Sequence, residues 1–262
     1  MLFDDGISVR EQKEIRTPHQ KKAVEETQCW PKPKLFSDKK KVRKTVITDV
    51  VILEITKGKF EYIISPINDR GEILFPLEKS IKAQLKVYYN NYRAPVPIVA
   101  IVDGSSTIRK RLNNLNPAGI TTILDWYHLC KKVREFLSMI SRNKNEKIEH
   151  SKFLFYHLWQ GKIEESLNYL RNKIETRNQT KLDELINYFV KHKSSIINYE
   201  LRKKAKKTIG SGRIEKGVDL TIGKRQKHKG MSWRALGSRA LAILKVIEFN
   251  SQWHQTWFQQ TV

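Results

Sequence analysis

The sequence predicts an α/β fold in which a mixed sheet is flanked by helices and interrupted by an all-helical insertion. Two runs, Val96–Val102 and Ile120–Leu124, are apolar almost throughout, as expected of strands buried on both faces. A short helical pattern at about Ser105–Leu115 separates them, so strand, helix and strand form a βαβ unit. From Trp126 to about Lys207 the apolar period becomes helical and remains so. We therefore expect a sheet followed by a long helical segment.

The first third of the chain contains further strand patterns. Residues 1–10 predict a strand end followed by a second short extended piece. Val46–Ile55 and Phe60–Ser65 predict two strands of a hairpin around a Lys-Gly-Lys turn. A helix is predicted from about Leu77 to Tyr92. Residues 11–44 are polar and basic and contain three prolines, so we predict a basic loop there.

The C-terminal part is predicted to return to the core. After the helical segment the chain passes through Gly210-Ser211-Gly212 into a helix that contains Glu215. A long final helix is predicted from Trp233, with one apolar side that we expect to face the core. The apolar positions of that side are Leu236, Ala240, Ile243, Leu244 and Ile247.

The charge of the chain indicates a polyanionic partner. The 262 residues include 50 Lys and Arg against 27 Asp and Glu, a formal charge of +23. Nucleic acid is the simplest partner for such an excess. Residues 201–234 contain twelve Lys and Arg and two acids, which is +10 of the total. The smaller cluster Lys39–Lys44 fits a solvated surface equally well.

Composition also argues against several classes of protein. No apolar run approaches the roughly 20 residues needed to span a bilayer. Met1-Leu2-Phe3 leads directly into acidic residues, unlike a signal peptide. Cys29 and Cys130 are the only cysteines and lack CxxC spacing, which disfavours a disulfide scaffold or a structural zinc site. We therefore expect a cytoplasmic protein with a hydrophobic core and no membrane partner.

Acidic residues stand where buried strands end. Asp103 and Asp125 each follow an apolar run, Asp5-Gly6 repeats the Asp-Gly pair at 103–104, and Glu215 lies in the first turn of its helix. Phosphoryl transfer on nucleic acids commonly uses two Mg²⁺ ions about 4 Å apart. Mg²⁺ takes hard oxygen ligands and needs only one or two carboxylates per ion. Each acid alone also fits a turn former, a helix N-cap or a dipole partner, so the group is more informative than its members.

The tetrapeptide Asp125-Trp126-Tyr127-His128 places a carboxylate and an imidazole three residues apart at the start of a helix. This spacing puts both on one side of the helix. One interpretation is a pair that orders a metal site or a substrate. The other is a helix-start aspartate with an incidental histidine, and both stay open at this point.

The order of these motifs resembles the DDE transposases of bacterial insertion sequences. The resemblance lies in Asp103-Gly104, in Ile123–Leu129, in the helical stretch that follows and in Gly210–Val218. It continues through Gly223–Trp233, which is similar to the segment after the family's catalytic Glu. Among these transposases the chain resembles the Mutator-like group in particular. The catalytic domain of that group is a ribonuclease H-like core interrupted by a helical insertion.

The resemblance implies a division of the chain and a set of site residues. Residues 1–128 would be the first part of the core, 129–207 the helical insertion, and 208–262 the C-terminal helices with the catalytic Glu. The implied metal ligands are Asp5, Asp103 and Glu215, and Asp125 with His128 would match the group's Asp/Cys-x-x-His signature. Asp4 and Asp49 are alternatives to Asp5 as first ligand.

The resemblance also implies an activity. We expect Mg²⁺-dependent cleavage and strand transfer at insertion-sequence ends, with two ions, Mn²⁺ as a substitute, and a homo-oligomer on double-stranded DNA in the nucleoid. Basic side chains would hold transposon-end or target DNA by phosphate contact. These side chains are Lys203, Lys204, Lys206, Lys207, Lys224, Arg225 and Lys227.

The start of the chain departs from the family pattern. Family members usually carry an N-terminal DNA-binding region before the first catalytic strand, whereas here the sequence begins almost on Asp5. We therefore expect an N-terminally truncated protein whose first strand is only a few residues long. Two alternative functions remain, an inactive DNA-binding remnant and a structure-selective nuclease with the same metal chemistry.

Overall fold

A computed structural model of the protein describes residues 1–12, 44–89, 97–115, 119–228 and 230–258. Within these residues five strands form one sheet flanked by helices, which confirms the predicted α/β class with a mixed sheet. The strands are β1 (Leu2–Arg10), β2 (Thr45–Thr56), β3 (Lys59–Ile64), β4 (Ile98–Val102) and β5 (Ile120–Leu124).

The helices follow the predicted order. Those of the described residues are α1 (Leu77–Tyr89), α2 (Ser106–Leu115), α3 (Trp126–Ile140), α4 (Lys144–Trp159), α5 (Ile163–Asn172), α6 (Gln179–His192), α7 (Tyr199–Lys204), α8 (Gly212–Val218), α9 (Lys224–Gln226), α10 (Ala235–Phe249) and α11 (Trp253–Phe258). A π-helical turn, Asp219–Gly223, joins α8 to α9. No helix in the described part of the chain has both the length and the apolar character needed to cross a membrane.

The strand order across the sheet is β3-β2-β1-β4-β5. Strand β2 runs antiparallel to β1 and β3, whereas β4 and β5 run parallel to β1. The parallel strands therefore end at the same edge of the sheet. Helix α2 makes the crossover from β4 to β5, as the predicted βαβ unit requires.

The two faces of the sheet are covered by different helices. Side chains alternate between faces along a strand. Phe3, Ile101 and Ile123 belong to one hydrophobic cluster that continues into α3–α8 and α10, and we call their side of the sheet the insertion face. Leu2 and Ala100 belong to a second cluster with α1 and α2, on the opposite face.

The helical segment between β5 and α8 shares its core with the sheet. Trp126, at the start of α3, packs its ring 4.9 Å from those of Trp159 and Tyr199. The Tyr199 hydroxyl donates a hydrogen bond of 2.8 Å to the carbonyl of Leu124, the last residue of β5. Helices α4 and α7 are thus fixed directly to the edge of the sheet.

The first strand is longer than predicted. Residues 2–10 form one continuous strand rather than a strand end and a second piece, so the expectation of a strand of only a few residues is wrong. Strand β1 pairs along its whole length with β2, from Leu2↔Leu53 to Arg10↔Thr45. Strand β1 extends past the end of β4, and at its far end the Arg10 carbonyl accepts a hydrogen bond of 2.9 Å from the Trp233 N–H. The predicted basic loop, 11–44, falls mostly outside the described residues.

The long helix α10 buries a different side from the one predicted. Its buried positions are Ser238, Ala242 and Val246, whereas Leu236 is 42% exposed. The reason is a buried polar contact: the Ser238 hydroxyl donates to Gln226 Oε1 at 2.6 Å, and Gln226 Nε2 donates to the Ser238 carbonyl at 2.9 Å. Small side chains at this contact allow α10 to approach the chain after α8 closely. The other predicted core positions, Ala240, Ile243, Leu244 and Ile247, are only partly buried.

A buried ion pair joins α2 to the sheet on the face that α1 and α2 cover. Arg111 of α2 donates to Asp4 Oδ1 at 2.5 Å and also binds the carboxylate of Asp49. Asp4 is 2% exposed, and burial raises its pKa to about 7 against the opposing effect of Arg111. Loss of one partner would leave an uncompensated charge in the interior.

Substitution Arg111→Ala should lower the free energy of unfolding by about 3–5 kcal/mol, because it strands the Asp4 carboxylate. A folded-state pKa raised above the unfolded value means that stability falls as pH rises through the folded pKa. Without Arg111 the pKa of Asp4 would rise further, so the variant would continue to lose stability at pH values where the wild type no longer does. The difference in unfolding free energy between wild type and variant should therefore be larger at pH 8 than at pH 6, as measured by urea denaturation. Lys110→Ala, on an exposed position of the same helix, is the control and should unfold like the wild type. Equal stability of the two variants would contradict the role of the pair.

Candidate active site across three parallel strands

Three aspartates form a row across adjacent parallel strands. In the β1–β4 register Phe3 pairs with Ile101. Continuing this register by two residues on both strands places Asp5 beside Asp103. In the β4–β5 register Val102 pairs with Leu124. Continuing this register by one residue places Asp103 beside Asp125. Neighbouring strands are about 4.8 Å apart. By alternation all three aspartates lie on the insertion face.

Helix α8 places Glu215 over this row. Ile214 and Val218 of α8 are buried in the core of the insertion face. A Cβ at Gly217 would collide with Ile52 and lie 3.2 Å from Tyr62, so α8 packs directly on strands β2 and β3 there. The Glu215 side chain is 56% exposed and points to the same region as His128.

His128 lies between two of the acids. Its Nδ1 is 3.4 Å from Asp125 Oδ1 and 3.9 Å from Glu215 Oε1. The interaction with the Asp125 carboxylate raises the pKa of His128, partial burial opposes the rise, and the charges of Glu215 and Asp103 add to it. The imidazole therefore lies between Asp125 and the glutamate of α8.

The Asp125 carboxylate is the N-cap of α3. Its Oδ1 accepts the backbone N–H of His128 at 2.8 Å, and its Oδ2 accepts the N–H of Ser211, which precedes α8. Asp125 is 1% exposed. Burial would raise its pKa, but the hydrogen bonds from His128 and Ser211 outweigh it and lower the pKa to about 2. Both oxygens are thus engaged with protein donors.

Asp103 forms a turn in addition to joining the row. Its Oδ1 accepts the Ser105 N–H at 2.7 Å, just before α2. Gly104 has φ +93°, and a Cβ there would lie 3.1 Å from His192 Cε1 and 3.2 Å from Leu124. A glycine is needed at 104 both for this conformation and for the close contact with α6.

Asp5 experiences the charges of the other acids. Burial raises its pKa, a hydrogen bond of 2.8 Å from the Gly6 N–H opposes the rise, and the charges of Asp103 and Glu215 add to it. We call Asp5, Asp103, Glu215, Asp125 and His128 together the acid group. The structure brings all five of these predicted site residues to one place on the insertion face.

The alternatives for the first ligand lie elsewhere. Asp4 faces the α1 and α2 side, where it pairs with Arg111. Asp49 binds the same arginine. Both carboxylates are therefore neutralised on the face of the sheet that is opposite the acid group.

The donor set of the acid group suits a hard divalent cation. Asp5, Asp103 and Glu215 offer carboxylate oxygens. Burial raises the pKa of Asp5 and the charges of the other two acids add to this, so a cation would relieve their mutual repulsion. Among the described residues, no three His, Cys, Asp or Glu side chains are already arranged closely enough to hold a metal ion. The residue types fit Mg²⁺, and the sheet holds two of the acids in place, Asp5 within β1 and Asp103 directly after β4.

The predicted DNA-contacting side chains are all exposed. Four follow one another at the end of α7 and just after it, and three cluster at α9. Lys204 pairs with Glu200 at 2.7 Å, and Lys203 Nζ lies 5.6 Å from the centre of the Trp159 ring. The exposed set is Lys203, Lys204, Lys206, Lys207, Lys224, Arg225 and Lys227.

A cleft of about 330 Å³ adjoins the acid group, and we call it the α3–α6 cleft. Its walls come from α3, from the turn after β4 and from α6. Its lining residues are Asp103, Gly104, Ser105, His128, Lys131, Lys132, Glu135 and Tyr188. The sequence interpretation missed Lys131, Lys132 and Tyr188. The lysines follow His128 at i+3 and i+4, a helical spacing that would have placed them on its face.

Substitution Asp125→Ala should lower the free energy of unfolding by about 2–3 kcal/mol at pH 6, because two backbone donors lose their acceptor. The pKa of Asp125 is depressed in the fold, so its contribution is present above the unfolded pKa of about 4 and is lost as pH falls toward 2. Urea unfolding at pH 6 and pH 3 measures both effects.

Asp125→Asn keeps the shape of the cap and should remove this part of the pH dependence. Asp183→Ala, on an exposed position of α6, is the control. An unchanged pH dependence in Asp125→Asn would show that the carboxylate charge does not hold the junction.

No protein-family model, curated protein or solved structure matches the chain. The functional conclusion therefore depends on the geometry and chemistry of the acid group.

Proposed function

We propose that the chain is the catalytic domain of a DDE-type transposase similar to the Mutator-like group of bacterial insertion sequences. The observation that carries the proposal is the acid group: Asp5 and Asp103 on adjacent parallel strands, with Glu215 on a helix that crosses the same face. The formal charge of the chain is +23, so three acids on one face of the sheet oppose the overall charge of the protein.

The sheet supports a ribonuclease H-like assignment for the core. The order β3-β2-β1-β4-β5, with β2 alone antiparallel, brings the first and fourth strands side by side. Asp5 and Asp103 become neighbours only in such an order. We propose that the helical residues between β5 and α8 are the insertion, and that the chain divides into residues 1–128, 129–207 and 208–262.

The proposed reaction is phosphodiester cleavage followed by strand transfer. Water would attack the phosphorus in line and break the P–O3′ bond, which leaves a 3′-hydroxyl; that hydroxyl would then attack a target phosphodiester. No covalent enzyme intermediate is needed. Two Mg²⁺ or Mn²⁺ ions held by Asp5, Asp103 and Glu215 would supply Lewis-acid stabilisation of the charge on the attacking and leaving oxygens.

The remaining members of the acid group would position the others. Asp125 holds the start of α3 and the residue before α8, and so sets the relative positions of His128 and Glu215. His128 Nδ1 faces the two carboxylates, so a DNA phosphate would meet Nε2. The proposed role of this pair is to order the site and the scissile strand.

The proposed partner is double-stranded DNA, as transposon ends and as target. Transposition joins two ends, so we also propose a homo-oligomer on DNA, in the nucleoid of the cytoplasm. The exposed lysines of α7 and the basic cluster of α9 would bind phosphates, which position DNA without reading its sequence.

Glu215→Gln and Asp5→Asn should each lower Mg²⁺-dependent nicking of a supercoiled plasmid by about 100-fold or more, since each removes one charge of the ligand set. Strand transfer is read in the same reaction from a labelled oligonucleotide that becomes joined to the plasmid. Glu248→Gln, an exposed acid on α10, is the matched control and should keep full activity.

The outcomes separate the alternatives. Full activity of Glu215→Gln would overturn the assignment. Nicking with no joined product would support a structure-selective nuclease, and DNA binding with no metal-dependent nicking would support an inactive remnant.

The basic cluster of α9 can be tested through salt. The logarithm of the DNA-binding constant should fall linearly with the logarithm of salt concentration, by about 0.9 per phosphate contacted. Lys224→Ala with Arg225→Ala should reduce that slope by about 2. Lys152→Ala with Lys181→Ala, on exposed or half-exposed positions of the insertion, should leave it unchanged. An unchanged slope in the α9 variant would contradict phosphate contact there.

A further inference from the structure

The α3–α6 cleft adjoins the acid group and is lined by both acidic and basic side chains. Asp103 and His128 stand at one end, where the acid group lies. Lys131 and Lys132 stand one helical turn further along the same face of α3, and both are exposed. Within the described residues Lys131 has no ion pair, and Lys132 is held 3.7 Å from Glu135. A phosphate next to the cleaved one would meet these ammonium groups.

The opposite wall of the cleft presents an aromatic ring. Tyr188 is half-buried and packs its ring 4.5 Å from that of His192. Arg109 contacts His192 Nδ1 at 2.7 Å, and burial, with Arg109, lowers the pKa of His192 to about 4. The histidine is thus neutral at pH 7 and fixed, and Tyr188 is held against it. Burial raises the pKa of Tyr188 to about 12, so the ring keeps its proton.

The dimensions of the cleft select its occupant. A volume of about 330 Å³ lies at the lower end of the range, about 300–1,000 Å³, of cavities that hold one small molecule. A duplex cannot enter such a space, whereas one nucleotide of a single strand can. Aromatic side chains bind unpaired bases by stacking, and extruding a base costs least where it is already unpaired.

We propose that the α3–α6 cleft binds one unpaired nucleotide of the DNA strand beside the cleaved phosphodiester, with its base against Tyr188 and its phosphate at Lys131 and Lys132. The inference rests on the proposed function and adds a requirement to it: the preferred DNA has a frayed or forked end at the site. Lys131 and Lys132 then act at the reacting strand, whereas the exposed basic residues of α7 and α9 act on duplex phosphates.

The test compares two fluorescent DNA probes by anisotropy in EDTA. One is a duplex with a single-stranded tail, and the other is a blunt duplex with the same number of phosphates. The wild type should bind the tailed probe about tenfold more tightly, the size expected of stacking one base on an aromatic ring. Tyr188→Leu should bind both probes equally, and Tyr188→Phe, which keeps the ring, should retain the preference.

A second variant covers the case in which Tyr188→Leu does not fold, as judged by circular dichroism. Lys131→Ala with Lys132→Ala changes two exposed positions and should weaken binding of the tailed probe more than that of the blunt one. Lys152→Ala with Lys181→Ala is the matched control. Equal binding of the two probes by the wild type, or an unchanged preference in the Lys131→Ala/Lys132→Ala variant, would overturn the inference.

Binding and cleavage are read separately, so the two proposals can fail independently. A preference for the tailed probe in a protein that never nicks DNA would support the cleft and reject the proposed function. Nicking and strand transfer by a protein that binds both probes equally would reject the cleft alone.

Discussion

The carboxylate of Asp125 holds together the parts of the molecule that form the candidate site. It ends the last strand of the sheet, caps α3 through the His128 N–H, and accepts the Ser211 N–H before α8. His128 is itself one of the two donors, and Glu215 follows the other by one turn of helix. The spacing between a strand edge, an imidazole and a glutamate therefore depends on two hydrogen bonds to one buried side chain. A neutral or longer residue could not accept both donors with the same strength.

Neighbouring aspartates in β1 illustrate how strand alternation assigns chemistry. Asp4 and Asp5 are adjacent, yet they point to opposite faces of the sheet. Asp4 is neutralised by Arg111 in the interior. Asp5 is half-exposed, has no ion pair with a lysine or arginine of the described residues, and faces other acids. One residue contributes to stability and the other can contribute to binding a cation. A shift of the strand by one residue would exchange these roles.

The sequence predicted the elements whose patterns are local. The apolar runs of β4 and β5 and the period of the insertion were sufficient to place Asp103 and Asp125 at strand ends, because burial on both faces leaves little polar alternation. It could not show that Asp5 and Asp103 are neighbours, since this depends on the pairing of β1 with β4. The length of β1 depended on β2 and on Trp233, more than 200 residues away. The buried side of α10 was set by the polar contact between Ser238 and Gln226, which hydrophobic periodicity does not detect.

The hydrogen bond between Ser211 and Asp125 joins residues 86 positions apart, and this separation has a consequence for how the protein is made. Closing a loop of that length from a disordered chain carries a substantial entropic cost, and contacts of large sequence separation slow folding. Helices α3 to α6 pack against one another, α3 against α6 included, so the intervening segment can become compact before the ends meet. On the ribosome, the strand that carries Asp125 is complete long before Glu215 emerges. Until α8 is synthesised and docks, the nascent protein holds its aspartates without the glutamate, and the site is complete only once that helix is in place.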